Sequence, residues 1–343
     1  MTDLLKKLIS IPAFSREEKE AADFLENYLK AEGFAPKRIL NNLWIESETE
    51  SDKPSILLNA HIDTVKPASG YTRDPFCPEQ EGDIIYGLGS NDDGASLVAM
   101  LEAFRRLASK PQPYRLIYSL AAQEEVGGTE GIEAILPHIG HIDLGVIGEP
   151  TGMNMAVAEK GLMVLDCSAY GKSGHAARDE GINAIYKAFE DIDWFRNYKF
   201  EKVSEFCGEV KMSVTQINAG SQHNVVPDRC DFVVDIRGNG IYSTLDILDI
   251  IKEHVSCEFK PRSTRHNGAW IDTGHPIVRR GLSLGLGTFG SPTTSNQSVC
   301  PFTTIKIGPG ESSRSHTTDE FIKISEIEQG ADIYFRLLDG LTL

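Results

Sequence analysis

Three apolar runs, Ser55–Asn59 (SILLN), Leu116–Ala121 (LIYSLA) and Leu144–Ile147 (LGVI), have the length of buried strands. Between the first two, Leu97, Met100, Leu101, Phe104 and Leu107 fall on one helical face, which predicts a helix over Ser96–Ala108. Strands alternating with helices predict an α/β layer architecture built on a parallel sheet. At the N-terminus, Leu4, Leu5, Leu8 and Ile9 fit an amphipathic helix. Charges interrupt that stretch and no small-residue cleavage site follows it, so it does not read as a signal peptide.

The pattern changes near Glu159. Gly161–Tyr170 predicts a strand and Gly181–Phe195 a helix. Val210–Ile217 and Cys230–Ile236 alternate as strands on either side of a turn at Asn218–Asp228. Leu245–His254 predicts a second helix, and Glu258–Pro261 a short last strand. The order βαββαβ is that of a ferredoxin-like α+β unit. Beyond Asn267 come Gly- and Ser-rich loops, a strand at Thr303–Ile307 and a helix at Ser325–Leu338. The expected organisation is a discontinuous α/β domain (1–159 and 267–343) with a smaller domain, 160–266, inserted into it.

Composition narrows the function. Hydrophobic residues make up 41% of 343, enough to build a core, and no apolar run is long enough to cross a bilayer. Fifty acidic residues against 34 basic ones give a net charge of −16, which would repel nucleic acid. The six cysteines (Cys77, Cys167, Cys207, Cys230, Cys257 and Cys300) include no C-x-x-C pair. They predict reduced thiols in a cytoplasmic protein and argue against a cysteine-based metal site.

Each of the three strands runs into side chains that bind metals: His61-Ile62-Asp63, Glu124-Glu125, and Gly148-Glu149-Pro150. Any one of these alone reads as ordinary surface. Three strand ends together point to a site beyond the carboxyl edge of the sheet, where ligands of open α/β folds bind. A fourth element, Gly87-Leu88-Gly89-Ser90-Asn91-Asp92, begins like a dinucleotide loop, but Asp92 stands where the last glycine belongs and would repel a pyrophosphate. A carboxylate on such a turn suits two bridged metals. The segment Ser313-Arg314-Ser315-His316 supplies a further imidazole. The other histidines (His138, His141, His223, His254, His266 and His275) match no ligand pattern.

The ordered set of HxD, GxGxxD, EE, GEP and a late His before Asp319-Glu320 resembles the zinc-dependent deacylase and exopeptidase superfamily. That group includes acetylornithine deacetylase, succinyl-diaminopimelate desuccinylase and aminoacylase. The resemblance extends through Gly174-His175, Asn224-Val225-Val226-Pro227 and Asp235-Ile236-Arg237. It implies a zinc-aminopeptidase-like catalytic domain with an inserted dimerisation or lid domain. It implies two Zn²⁺ per subunit, replaceable by Co²⁺ or Mn²⁺, with His61 and Glu149 on one ion, Glu125 and His316 on the other, and Asp92 bridging. Glu124 becomes the general base, and Asp63 orients His61. His175 stabilises the oxyanion in the partner subunit of a homodimer, while Asn224 and Arg237 contact substrate, Arg237 having a structural ion pair as its alternative.

Two departures stand out. Many members follow the bridging Asp with x-Lys-Gly, where this chain has Asp93-Gly94, and Asn296 stands where an Asp is frequent. The expected activity is hydrolysis of an N-acyl-amino acid. The segment Gly308-Pro309-Gly310…Ser313-Arg314-Ser315-His316 most resembles acetylornithine deacetylases of arginine biosynthesis. N-succinylornithine, N-acetylcitrulline and succinyl-diaminopimelate are rival substrates, and an exopeptidase or dipeptidase a rival activity. A non-catalytic metal-stabilised binding protein would need no proton carrier beside the ligands, so the Glu124-Glu125 pair argues against it.

Overall fold

The computed structural model describes residues 1–47 and 52–343, which form two compact units. The first comprises Met1–Val157, Ile271–Phe289 and Ser295–Leu343; the second comprises Ala158–Trp270 and Gly290–Thr294. The units therefore divide at 157/158 and 270/271 rather than at 159/160 and 266/267. Residues 290–294 lie with the second unit because Lys160 N–H donates to the Ser291 carbonyl and the Thr294 hydroxyl to the Lys160 carbonyl.

In the first unit, strand Ser55–His61 pairs in parallel with Arg115–Ala121 on one side and Leu144–Ile147 on the other. Thr304–Lys306 extends the parallel set beyond Leu144–Ile147. All seven residues of Ser55–His61 are buried, as expected of a strand covered on both faces. The sheet is nevertheless mixed, not purely parallel. Asn42–Glu46 runs antiparallel to Arg115–Ala121, and Met155–Glu159 antiparallel to Thr304–Lys306. At the first of these edges, Lys37–Ile39 joins Asn42–Glu46 through a tight turn with Leu40 at φ 55°, a link that only antiparallel neighbours can use. Helices Gly94–Ala108 and Ile324–Leu338 pack against each other, and the buried Tyr118 and Tyr334 hydroxyls donate to the carbonyls of Leu97 and Ile307. Their polar ends are thus satisfied inside an apolar layer.

The second unit holds a four-stranded antiparallel sheet in the spatial order Lys211–Ala219, Arg229–Arg237, Leu162–Tyr170, Glu258–Pro261. Along Leu162–Tyr170, Met163, Leu165, Cys167 and Ala169 are buried and their neighbours are not, the period of two that a one-sided sheet requires. Helices Ala184–Asn197 and Thr244–His254 cover the buried face through Ala188, Phe195, Ile247 and Ile251. This is the ferredoxin-like βαββαβ arrangement. The long turn before Arg229 contains a two-residue strand, Val225–Val226, paired with Gly174–His175. The cysteines form no disulfide among the described residues, and no helix among these residues is long and apolar enough to cross a membrane.

Candidate metal centre

Six side chains of the first unit converge. His61 is the last residue of its strand, Glu124 and Glu125 open a short 3-10 turn just past Arg115–Ala121, and Glu149 follows Leu144–Ile147. Asp92 immediately precedes the cap of helix Gly94–Ala108, and His316 follows the 3-10 turn Ser312–Arg314. The turn carrying Asp92 depends on Gly89, whose φ is 73° and whose hypothetical Cβ would lie 2.6 Å from Thr64 Cγ2.

Asp92 lies between two imidazoles. Its Oδ1 is 3.1 Å from His61 Nε2 and its Oδ2 is 3.7 Å from His316 Nε2. His316 Nε2 also sits 2.9 Å from Glu125 Oε2, and His61 Nε2 4.0 Å from Glu124 Oε2. The ligand atoms of His61, Asp92 and Glu125 all lie within 4.8 Å of one another, as do those of His61, Glu124 and Glu149. His61 Nδ1 lies 2.8 Å from the backbone carbonyl of Asp63. With the Nδ1 proton donated there, Nε2 faces the site as a lone-pair donor.

The Asp63 carboxylate has several partners. It stands 3.5 Å from His61 Nδ1, while its oxygens accept the N–H groups of Glu124 at 3.0 Å and Glu125 at 3.1 Å and the Ser15 hydroxyl at 2.7 Å. The Asp63 carbonyl and carboxylate both face the His61 ring, and the carboxylate also holds the glutamate pair.

Burial pushes the Glu124 and Glu149 carboxyls well above the usual range, and neighbouring carboxylates add to the effect. Burial also raises Glu125, against the opposing His316 bond. His316 is raised to about 9, first by its hydrogen bond to Glu125. Burial alone would lower His61, but Asp63 and Asp92 raise it well above its ordinary value. Buried carboxylates therefore crowd the buried His61 imidazole and the half-exposed one of His316. Oxygen and nitrogen donors with this excess of negative charge fit divalent cations, and the two-sided Asp92 fits a pair of them.

The structure keeps His175, Asn224 and Arg237 in the second unit. His175 is opposite Val225 in the short ladder, which sets it beside Asn224, and its exposed ring accepts the Ala177 N–H at Nδ1 over 3.1 Å. Arg237 is engaged by Asp235 through Nε–Oδ1 at 2.8 Å and Nη2–Oδ2 at 3.1 Å, the structural ion pair weighed as its alternative. One residue stood in the quoted motif without a role. Glu320 is buried, with Oε1 accepting the N–H groups of Asn91 (2.8 Å) and Asp92 (2.9 Å) and Oε2 that of Gly89 (2.9 Å). Burial, with Asp92 adding, pushes it up to about 8 against those three bonds. An acid beside a surface-like Asp319 carries no sequence mark of turning inward.

A model of peptidase family M20/M25/M40 matches residues 57–340. Succinyl-diaminopimelate desuccinylase of Delftia acidovorans is 25% identical over 380 residues, covering 98% of this chain and 97% of that one. Among solved structures, aminopeptidase PepT from Bacillus cereus superposes with a TM-score of 0.79 at 19% identity, over 98% of this chain and 96% of that chain. A dinuclear metal binding peptidase from the M20 family of Bacillus subtilis gives 0.73 at 15% identity, over 98% and 96%. At these identities the two structures speak for the fold. The Delftia relative, matched over nearly the whole of both chains, is a desuccinylase, which corrects the expected likeness to acetylornithine deacetylase. The segment 308–316, on which that likeness rested, carries His316 beside Glu125.

Proposed function

The chain belongs to peptidase family M20/M25/M40, and from that premise we propose that it removes the N-succinyl group of a succinyl-diaminopimelate-type amino acid. It is a metal-dependent amidohydrolase; the substrate and the residue roles are our reading. The observation that carries the metal chemistry is Asp92, presenting one oxygen to each of two imidazoles, and the succinyl substrate rests on the likeness to succinyl-diaminopimelate desuccinylases. We assign His61 and Glu149 to one Zn²⁺, Glu125 and His316 to the other, and Asp92 to both. When bound, the two ions polarise the amide carbonyl and ease deprotonation of the attacking water.

Glu124 takes a proton from that water and passes it to the leaving nitrogen as the C–N bond breaks, giving a carboxylic acid and a free amine. Its buried carboxylate, held from behind by Asp63 at the backbone, is placed for this task. Asp63 also fixes Glu125, so carrier and ligand share one support.

We further assign a homodimer in which His175 of a second copy donates to the oxyanion, with Asn224 beside it binding substrate. Strand Lys211–Ala219 pairs on one side only among the described residues, and helix Ala184–Asn197 exposes Tyr186 (71%) and Phe189 (61%) three residues apart. An open strand edge beside an apolar helical stripe favours association. Arg237 enters this reading only if substrate carboxylate displaces Asp235.

Amine release from N-succinyl-diaminopimelate, N-succinylornithine, N-acetylornithine, N-acetylcitrulline and a dipeptide set tests the reading, each with and without chelator. Chelator-sensitive release, fastest from the succinyl-diaminopimelate substrate, is expected. Preference for an acetyl substrate would return the reading to the arginine-type deacetylases. Preference for dipeptides would make the chain a peptidase, and no release at all would overturn the proposal.

A further inference from the structure

Gln123 precedes Glu124 and Glu125 directly, and its backbone is left-handed at φ 56°. That region disfavours residues with side chains. Here it turns the chain out of strand Arg115–Ala121, so that Glu124 and Glu125 both reach the ligand groups. A continued strand would send the two to opposite faces.

What holds the turn comes from residues 15–18. Glu18 is fully buried, at 0% exposure, just before helix Lys19–Ala31, yet its side chain does not cap that helix. Its Oε1 accepts the N–H of Gln123 at 3.2 Å and that of Arg16 at 2.5 Å, and Arg16 is itself left-handed at φ 76°. Its Oε2 accepts Asn41 Nδ2 at 3.0 Å. Three residues earlier, Ser15 donates to the Asp63 carboxylate that accepts Glu124 and Glu125. The amides of 123, 124 and 125 thus all end on carboxylates, one supplied and one braced by the same short segment.

We infer that Glu18 is a positioning residue for the Glu124–Glu125 pair, holding Gln123 left-handed and with it the aim of Glu124. This rests on the reading of Glu124 as proton carrier. A buried carboxyl oxygen that accepts backbone amides can hold a conformation the residue itself resists.

The test compares Glu18→Ala, Glu18→Gln, Gln123→Gly and the double variant Glu18→Ala/Gln123→Gly in the metal-loaded protein. Support of this kind is worth roughly tenfold to a hundredfold, so Glu18→Ala should lose that much kcat with KM and metal content little changed. Glu18→Gln keeps an oxygen for Gln123 N–H and should retain most activity. Glycine takes φ 56° unaided, so the double variant should outpace Glu18→Ala. Amide exchange over 122–127 should rise in Glu18→Ala and return in Glu18→Gln. Wild-type kcat in Glu18→Ala, or a double variant no faster than Glu18→Ala, overturns the inference. If Glu18→Ala does not fold, Glu18→Asp, one methylene short of Gln123, replaces it under the same criteria. If the wild-type protein cleaves no acyl-amino acid, the functional reading fails on its own. Exchange over 122–127 then decides the positioning alone: a rise reversed by Glu18→Gln upholds it, and no rise overturns it.

Discussion

Asn296 Nδ2 donates to Asn59 Oδ1 over 3.0 Å, and Asn59 Nδ2 donates in turn to Ser119 Oγ over 2.9 Å. The Ser119 hydroxyl then reaches the Leu58 carbonyl at 3.3 Å, so the buried chain of donors runs in one direction. An aspartate at 296, frequent in the enzymes this sequence resembles, would set a carboxylate oxygen against the Asn59 carbonyl. In this arrangement Asn296 is the donor that Asn59 Oδ1 uses. Asn296→Asp should lower unfolding stability by about 1–3 kcal/mol, because a buried acceptor loses its donor. Chemical denaturation checks this, and an unchanged midpoint would dissolve the pairing.

The second departure has a steric cause. Gly94 N–H donates to the Gly89 carbonyl at 3.0 Å, and a Cβ on Gly94 would lie 2.4 Å from that oxygen and 2.7 Å from Leu5 Cδ1. The lysine that many related enzymes carry here has no room in this chain. Gly94→Ala should cost about 1–3 kcal/mol from overpacking and reduce metal content, since the displaced carbonyl belongs to the turn that bears Asp92. Metal analysis of the purified variant reads the second effect. Full occupancy at wild-type stability would show that the turn yields more easily than its contacts imply.

Much of this was legible in the sequence, for physical reasons that also mark the limit. The strands Ser55–His61 and Leu144–Ile147 are continuous apolar runs because both faces are covered, and their ends hold His61 and Glu149. The ferredoxin-like sheet showed itself in the alternation of Met163, Leu165 and Cys167. The antiparallel edges were hidden, because Asn42–Glu46 is mostly buried and too short to show a period. Long-range carboxylate-to-amide bonds were hidden more deeply. Glu18 contacts Gln123 and Glu320 contacts Asp92 across more than a hundred residues, and nothing local distinguishes either from a solvated acid. Asp63 shows the same limit, since its motif predicted its place and not the partners of its oxygens.

His275 offers a pH test away from the metals. It caps helix Pro276–Ser283, with the side chain accepting from Ile277 N–H at 3.4 Å through Nδ1. Burial lowers its imidazole below 6.5, with Asp272 opposing. A histidine that folds with a depressed value binds fewer protons folded than unfolded, so stability rises with pH there. Its contribution is complete above about pH 6.5 and is lost as pH falls through the folded value, when Nδ1 gains a proton and the cap fails. His275→Asn retains a capping oxygen without a titration. The difference in stability between wild type and variant should therefore be flat above pH 6.5 and tilt toward the variant below it. A pH-independent difference in paired denaturation curves would remove His275 as the cause.

In the proposed centre, Asp92 is the residue that both metal positions share. Its oxygens face His61 at 3.1 Å and His316 at 3.7 Å, whereas His316 lies against Glu125 and Asp92. Removing the bridge should empty both positions, so Asp92→Ala should retain well under one equivalent of zinc. His316→Ala should lose one equivalent and keep the ion of His61 and Glu149. Glu124→Ala should keep both and lose turnover by roughly 10²–10⁴-fold, the usual worth of a proton carrier. Zinc content by mass spectrometry, with kcat on the best acyl substrate, separates the three. If Glu124→Ala also shed an ion, Glu124 would be a ligand, as its closeness to His61 and Glu149 allows, and the proton would need another carrier.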